Sequence, residues 1–443
     1  LTCLFVLFPT KVVEFALKIA HDDLNRLKSD ADTEYLRYSK MDLRIDMARG
    51  IPSPQQIDLS MALLDVPLGN DYLSEDGTDS RNYGGQQGLL EARRLFSTLV
   101  GVPEDQIVVG GNSSLALMYE CLAQAWRYGT PDSPRAWSQE PGGISFICVV
   151  PGYDRHFAMC EDFGIRMISV PMLDDGPDME LVKRLVVSDS SIKGIWCVPK
   201  YSNPTSTTYS KAVVDTLASM PAAARDFRIF WDNAYVVHPL VEVDDSLENI
   251  YTQAVRHGHS NRPLIFASTS KMTLPGAGIA GLAGSKDNTA WWLKAAALRS
   301  VGPDKVNQLR QVRFLRSPEK IKELMEQHRQ LLLPKFERVH EVFNRRLGTF
   351  GVAQWTRPRG GYFVSLEVLP GTAKRVVELA AQAGVKFATP GSCFPYGIDE
   401  RDYQLRIAPS YPDILQLTTA LEVISVCVAK AAFDHLSAVA SVE

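Results

Sequence analysis

The 443-residue sequence predicts an α/β fold, with a mostly parallel seven-stranded sheet flanked by helices and a smaller α/β domain beside it. Three observations lead there. From about residue 87, helical patterns alternate with short apolar runs, the sequence signature of βαβ units with both faces of the sheet covered. The runs are Gln106–Val109, Ile144–Val150, Met167–Val170, Gly194–Val198, Phe227–Trp231, Leu264–Ala267 and Ile279–Ala283. Second, the chain exceeds the roughly 100–200 residues of an ordinary domain, so a large and a small domain are expected. Third, a long helical stretch from Asn307 through Arg346 leads into a second α/β region, with strands near Tyr362–Leu366 and Gln404–Ile407. The expected division is a segment 1–60 joining the small domain, a large domain 61–309 and a small domain 310–443.

Composition narrows the function. Hydrophobic residues at 45%, charged residues at 22% and a net charge of -4 describe an ordinary globular protein with no electrostatic call for nucleic acid. The seven cysteines are scattered and form no C-x-x-C pair, which argues for a reducing compartment and against zinc. Leu1–Phe8 is apolar but lacks a basic flank and a cleavage site, and it is too short to span a bilayer. A cytoplasmic enzyme acting on a small molecule, with no metal, is the expectation. No 20–50-residue repeat is visible, which sets solenoids aside.

Ligands of a parallel sheet gather at the carboxyl ends of its strands, and the polar motifs fall there. Ser268-Thr269-Ser270-Lys271 directly follows the apolar run Leu264–Ala267. A desolvated lysine has a lowered pKa and a nucleophilic amine suited to Schiff-base chemistry; the competing reading is a solvated lysine. Asp232, in Phe230-Trp231-Asp232-Asn233-Ala234-Tyr235, puts a carboxylate at the end of another apolar run. Buried, it needs a cation such as a protonated pyridine nitrogen; otherwise it caps a helix. Val108-Val109-Gly110-Gly111-Asn112-Ser113-Ser114 reads as strand, glycine turn and helix start, a place for a phosphate or merely a cap. Asn203-Pro204-Thr205 reads as a turn.

Taken together, Lys271, Asp232 with Tyr235, and Asn203-Pro204 resemble, in order and spacing, the pyridoxal-phosphate (PLP) dependent aminotransferases of fold type I. The chain further resembles the bacterial-type aspartate aminotransferase subgroup, of alanine-glyoxylate aminotransferase-like character. That likeness runs from about residue 35 to 430 through Arg81-Asn82-Tyr83-Gly84-Gly85, Pro151-Gly152-Tyr153-Asp154-Arg155-His156-Phe157, Gly302–Leu309 and Gly360-Gly361-Tyr362-Phe363.

The resemblance implies roles. Lys271 holds PLP as a Schiff base and then shuttles a proton. Asp232 pairs with the pyridine nitrogen, His156 orients Asp232, and Tyr153 stacks on the ring. Asn203 and Tyr235 bond its phenolic oxygen. Asn112, Ser113, Ser114 and Ser268 hold the phosphate, joined by Tyr83 from the other subunit of a homodimer. Arg406, inside the apolar run Leu405-Arg406-Ile407, binds the substrate α-carboxylate through its fork. Gly50 lies over the substrate. Arg299, reaching across from the neighbouring subunit, selects dicarboxylates.

Two departures from the family pattern stand out. The asparagine-proline motif usually closes on glycine but here reads Asn203-Pro204-Thr205-Ser206, so the turn must tolerate a side chain. The phosphate-binding arginine usual eight residues after the lysine is replaced by Ile279. The implied activity is transfer of the amino group of L-aspartate to 2-oxoglutarate. The alternatives are an aromatic or aminoadipate-type aminotransferase, a decarboxylase, or a catalytically idle ligand-binding module on the same scaffold.

Overall fold

The computed structural model describes residues 21–66 and 69–440, so Leu1–Phe8 and Cys3 lie outside the described residues. Thirteen strands are present among them: β1 (Ile45–Asp46), β2 (Ile107–Val109), β3 (Ser145–Val150), β4 (Arg166–Leu173), β5 (Gly176–Pro177), β6 (Ile192–Cys197), β7 (Arg228–Asp232), β8 (Pro263–Ser268), β9 (Ala280–Ala283), β10 (Ala353–Trp355), β11 (Val364–Val368), β12 (Val385–Lys386) and β13 (Gln404–Ile407). The main sheet has the order β2-β9-β8-β7-β6-β3-β4-β5. Its centre, from β8 to β4, is parallel, while β9 runs antiparallel to both its neighbours.

All seven expected strands are therefore in the sheet, but the sheet has eight. The additional strand is β5, which pairs back onto the end of β4 through Met172–Pro177 and Leu173–Gly176. Two residues carry no period of their own. A proline is tolerated there because an edge strand need not donate on its outer side. β6 and β7 are buried along their whole length, as a sheet with both faces covered requires. One face packs a core that includes Ile147, Ile195, Ile229 and Ile265, and the other a core around Phe146, Trp196, Phe230 and Phe266.

A third core gathers the later part of the chain with residues 24–47. It covers an antiparallel sheet β10-β11-β13 and the parallel pair β1-β12, in which Ile45 faces Val385. Through that pair the N-terminal segment joins the C-terminal body. The long helical stretch is two helices, Lys305–Leu315 and Pro318–Leu347, parted at Arg316, whose φ of 56° is not helical. The early turns of the second pack Ile321 and Leu324 against the large sheet, and its later turns put Val339 and Phe343 in the third core. Helix Ile414–Ala440 is long and apolar enough to cross a membrane by length and composition, yet Leu417, Leu421, Ile424 and Val428 are buried in that core.

Candidate active site

Strand order brings the chemistry together. β6, β7 and β8 lie side by side and parallel, so the chain leaves them at one edge. Asp232 is the last residue of β7 and Ser268 the last of β8, with Lys271 three residues on. Asn203 stands in the turn past β6, next to a cis Pro204. β2 ends at the same edge, because two antiparallel pairings relate it to β8. Its glycine turn leads to Ser113, which caps helix Ser114–Tyr128 by accepting from the Ala116 N–H at 3.3 Å. The chain leaving β3 supplies Tyr153 at the start of helix Asp154–Asp162.

These residues enclose a cavity of about 570 Å3. Of the residues singled out in the sequence, Gly50, Asn112, Ser113, Ser114, Tyr153 and Asn203 line it, as do Asp232, Tyr235, Ser268, Lys271 and Arg406. Burial lowers the pKa of Lys271, with the charge of Asp232 partly offsetting it, and the amine lies 4.9 Å from the centre of the Tyr235 ring. Burial likewise pushes Tyr153 up to about 12, reinforced by Asp232, so its phenol stays protonated. Asp232 is buried, and its Oδ2 meets His156 Nε2 at 3.1 Å. The imidazole is stacked on Trp196 at 4.3 Å and 9°, which fixes its plane. Asp232 Oδ1 is buried without a partner among the described residues.

Arg406 projects from β13 between Leu405 and Ile407, both buried in the third core; alternation along the strand sends the arginine to the opposite face. Its Nη1 contacts Asp154 at 3.2 Å and Asn203 Oδ1 at 3.4 Å, and its Nε is buried without a partner among the described residues. The guanidinium lies 4.9 Å from the centre of the Phe363 ring. Gly50 is pressed against that ring: a Cβ there would stand 2.3 Å from Phe363 Cζ.

A family model described as aspartate aminotransferase matches residues 19–439. An aspartate aminotransferase of Corynebacterium glutamicum is 42% identical over 415 residues, 94% of each chain. A Mycolicibacterium smegmatis protein named as an aminotransferase is 47% identical over 420 residues, 94% of this chain and 98% of that one. The crystal structure of an aspartate transaminase from Corynebacterium glutamicum superposes with a TM-score of 0.93 at 41% identity, covering 95% of this chain and 99% of that one. The chain belongs to the aspartate aminotransferase family. It is thus an aminotransferase of fold type I, a PLP-dependent class.

The residues present fit PLP. An ionised carboxylate with one oxygen buried and unsatisfied is costly, and a protonated ring nitrogen at Asp232 Oδ1 supplies the cation and the donor together. The helix start after Gly111 and the hydroxyls of Ser113, Ser114 and Ser268 form an anion cradle beside Lys271. Ser270, given no role from sequence, donates to the Asn112 carbonyl at 2.8 Å and ties the two halves of that cradle. Ile279 is buried in the core of the large sheet and takes no part in the lining, while its N–H donates to Thr269 Oγ1 at 3.0 Å.

Three residues singled out in the sequence lie outside the cavity wall. His156 stands behind Asp232. Tyr83 is 82% exposed on a loop that Lys305 holds by donating to the Asn82 and Gly84 carbonyls at 2.6 and 2.8 Å. Arg299 ends helix Lys286–Arg299, half exposed and paired with Glu120. Behind the lysine the structure adds a network that sequence reasoning missed. Gln56 Nε2 donates to Tyr362 Oη at 2.9 Å and meets His328 Nδ1 at 3.0 Å, while His328 Nε2 meets the Met272 carbonyl at 3.0 Å. It joins four separated residues, Gln56, Met272, His328 and Tyr362, so no local pattern announces it. His238 beside it is held down to about 3 by burial and by the charges of His328 and Lys271, so it stays neutral.

Proposed function

We propose that this enzyme moves the amino group of L-aspartate to 2-oxoglutarate in two half-reactions, with residues of this cavity performing the roles set out below. Bound PLP supplies the electron sink that stabilises negative charge at the substrate Cα. Asp232 keeps the proton on the pyridine nitrogen, and His156 holds the carboxylate in line through Oδ2. Tyr153, Asn203 and Tyr235 line the same cavity and would hold the ring, Tyr153 by stacking and the other two by bonding its phenolic oxygen. Lys271, with its pKa lowered, would be the group placed to accept and return the substrate Cα proton once PLP is bound. Arg406 takes the α-carboxylate of the substrate through the fork that includes its free Nε.

The observation that carries the reading is the conjunction of an unpartnered buried Asp232 oxygen, a lysine of lowered pKa and an arginine with a free buried donor in one cavity. A homodimer with shared sites belongs to the same reading: exposed Tyr83 reaches the phosphate and Arg299 the distal carboxylate of the neighbouring active site. Free, buried thiols at all six described cysteines accord with a cytoplasmic enzyme.

Single amino acids added to the purified, PLP-loaded protein test the assignment, with the cofactor spectrum following conversion to the pyridoxamine form. Conversion by aspartate and glutamate is the expected result. Conversion confined to aromatic amino acids or aminoadipate transfers the assignment to those substrates, release of CO2 indicates a decarboxylase, and no response at all indicates an idle binding module.

A further inference from the structure

A second cavity, of about 490 Å3, opens at the other end of the same strands. Arg228 is the first residue of β7, whose last is Asp232, and Arg262 immediately precedes β8. Both line this cavity with Arg225 and His259, and Asp132 is the one carboxylate among its lining residues.

Part of this charge has a structural use. Arg262 Nη1 donates to the Leu217, Ala218 and Met220 carbonyls at 3.2, 3.1 and 2.8 Å, closing the end of helix Lys211–Ser219. Arg228 spends Nη2 on Asp132 Oδ2 at 2.6 Å and Nη1 on the Phe227 carbonyl at 3.3 Å. The remainder is unspent. Arg228 is 1% exposed, and its Nε is buried without a partner among the described residues. Nε and Nη2 of Arg262 carry no hydrogen bond among the described residues. Among the described residues Arg225 uses only Nε, on the Asp132 carbonyl at 2.6 Å, and neither of its Nη groups is bonded.

The acids nearby are already engaged. Asp132 Oδ1 accepts from Asn261 at 3.2 Å, and Asp226, buried, is paired with Lys193 at 2.8 Å. Among the lining residues three guanidiniums face one carboxylate, with the charge of Asp226 also acting on Arg228 from behind the wall. Burial, and after it the charge of Arg228, pulls Arg262 down to about 10.

We propose that this cavity is a second binding site, for a small dianion, whose oxygens take the free donors of Arg225, Arg228 and Arg262 and balance the excess positive charge. Guanidinium forks match the oxygens of a phosphate or a carboxylate, so the shared chemistry is a doubly charged oxyanion: a phosphate group or a short dicarboxylate.

Calorimetric titration of the PLP-loaded enzyme at low ionic strength, with inorganic phosphate and separately with succinate, tests it. Arg406→Leu serves as the background that silences the substrate carboxylate site. One ion bound per chain is expected in the Arg406→Leu background, weakened at least ten-fold when Arg225→Ala is added. Arg225 is exposed, so that change leaves the core intact. Arg262→Lys keeps the charge but removes the fork, and it should weaken binding further. Binding of phosphate alone identifies a phosphate ligand, and of succinate alone a dicarboxylate. Absence of heat with both, or binding indifferent to Arg225→Ala and Arg262→Lys, overturns the proposal.

Discussion

Gly50→Ala should damage substrate binding through a ring and not through any hydrogen bond. The Cβ it adds would stand 2.3, 2.7 and 3.0 Å from three atoms of the Phe363 ring, whereas carbon atoms in contact prefer about 3.5–4.0 Å. One side must move by roughly an ångström. The glycine segment is pinned on both sides: the Met47 carbonyl accepts from the Ala408 N–H at 3.1 Å, and the Ile51 carbonyl from Ser410 Oγ at 2.9 Å. The ring therefore yields, and with it the guanidinium of Arg406 that it supports. Overpacking of this kind costs about 1–3 kcal/mol, which corresponds to roughly a five- to hundred-fold loss if it is expressed in substrate binding. Steady-state kinetics should show kcat/KM falling by that range for aspartate and for alanine alike, mainly through KM, if Arg406 takes the carboxylate that all amino acids share, as proposed. The cofactor spectrum should be unchanged. Phe363→Leu in the same chain should recover part of the loss by vacating the space. A folded Gly50→Ala variant with wild-type KM would refute the coupling of Gly50 to Arg406 through Phe363.

Other expectations follow from single residues. Lys271→Ala should abolish covalent cofactor attachment and transamination; borohydride reduction of the wild type followed by peptide mapping should label Lys271, and a label elsewhere removes the assignment. Arg299→Ala should cost dicarboxylic substrates roughly 3–5 kcal/mol in kcat/KM relative to alanine, and an equal loss for both would end its role in selectivity. Lys335, buried and donating to the Ser410 carbonyl at 2.7 Å, is pulled by burial from its ordinary 10.5 to about 8. Between those values the unfolded chain binds more protons, so its contribution to stability rises with pH by at most about 1.4 kcal/mol per unit. Denaturant unfolding from pH 8 to 10 should show that slope, and Lys335→Met should remove it. Ser206 holds a φ of 62° and donates to the Gly360 carbonyl at 2.9 Å. Thermal unfolding should find Ser206→Ala destabilised by about 1 kcal/mol, since it keeps the left-handed backbone and loses the bond, and Ser206→Gly close to neutral, since it relieves the one as it loses the other.

Legibility differed from residue to residue for physical reasons. Lys271 and Asp232 were visible because a charged group at the end of a fully apolar run contradicts its surroundings, and that contradiction is local. Arg406 stood out in the same way. The turn at Ser206 was visible as a side chain where the resembled family's motif usually closes on glycine, and its φ of 62° is one that glycine adopts more readily. Gly50 was marked by resemblance alone. Its reason, the pressure of the Phe363 ring, lies more than three hundred residues away. The short β5 escaped notice because a two-residue strand has no periodicity, and its pairing is decided by where β4 turns back.

By itself, then, the sequence determined the seven principal strands, their burial and the chemistry carried at their ends, since all of these follow from local alternation of apolar and polar residues. It also carried an apolar residue, Ile279, where the resemblance leads one to expect an arginine. The tertiary structure decided what meets what. It set Asp232 Oδ1 free by giving only Oδ2 to His156, joined Gln56, His328 and Tyr362 behind the lysine, and collected Arg225, Arg228 and Arg262 around one carboxylate at the opposite end of the sheet. Such meetings depend on strand order and on the packing of elements far apart in the chain, and neither leaves a periodic trace in the residues themselves.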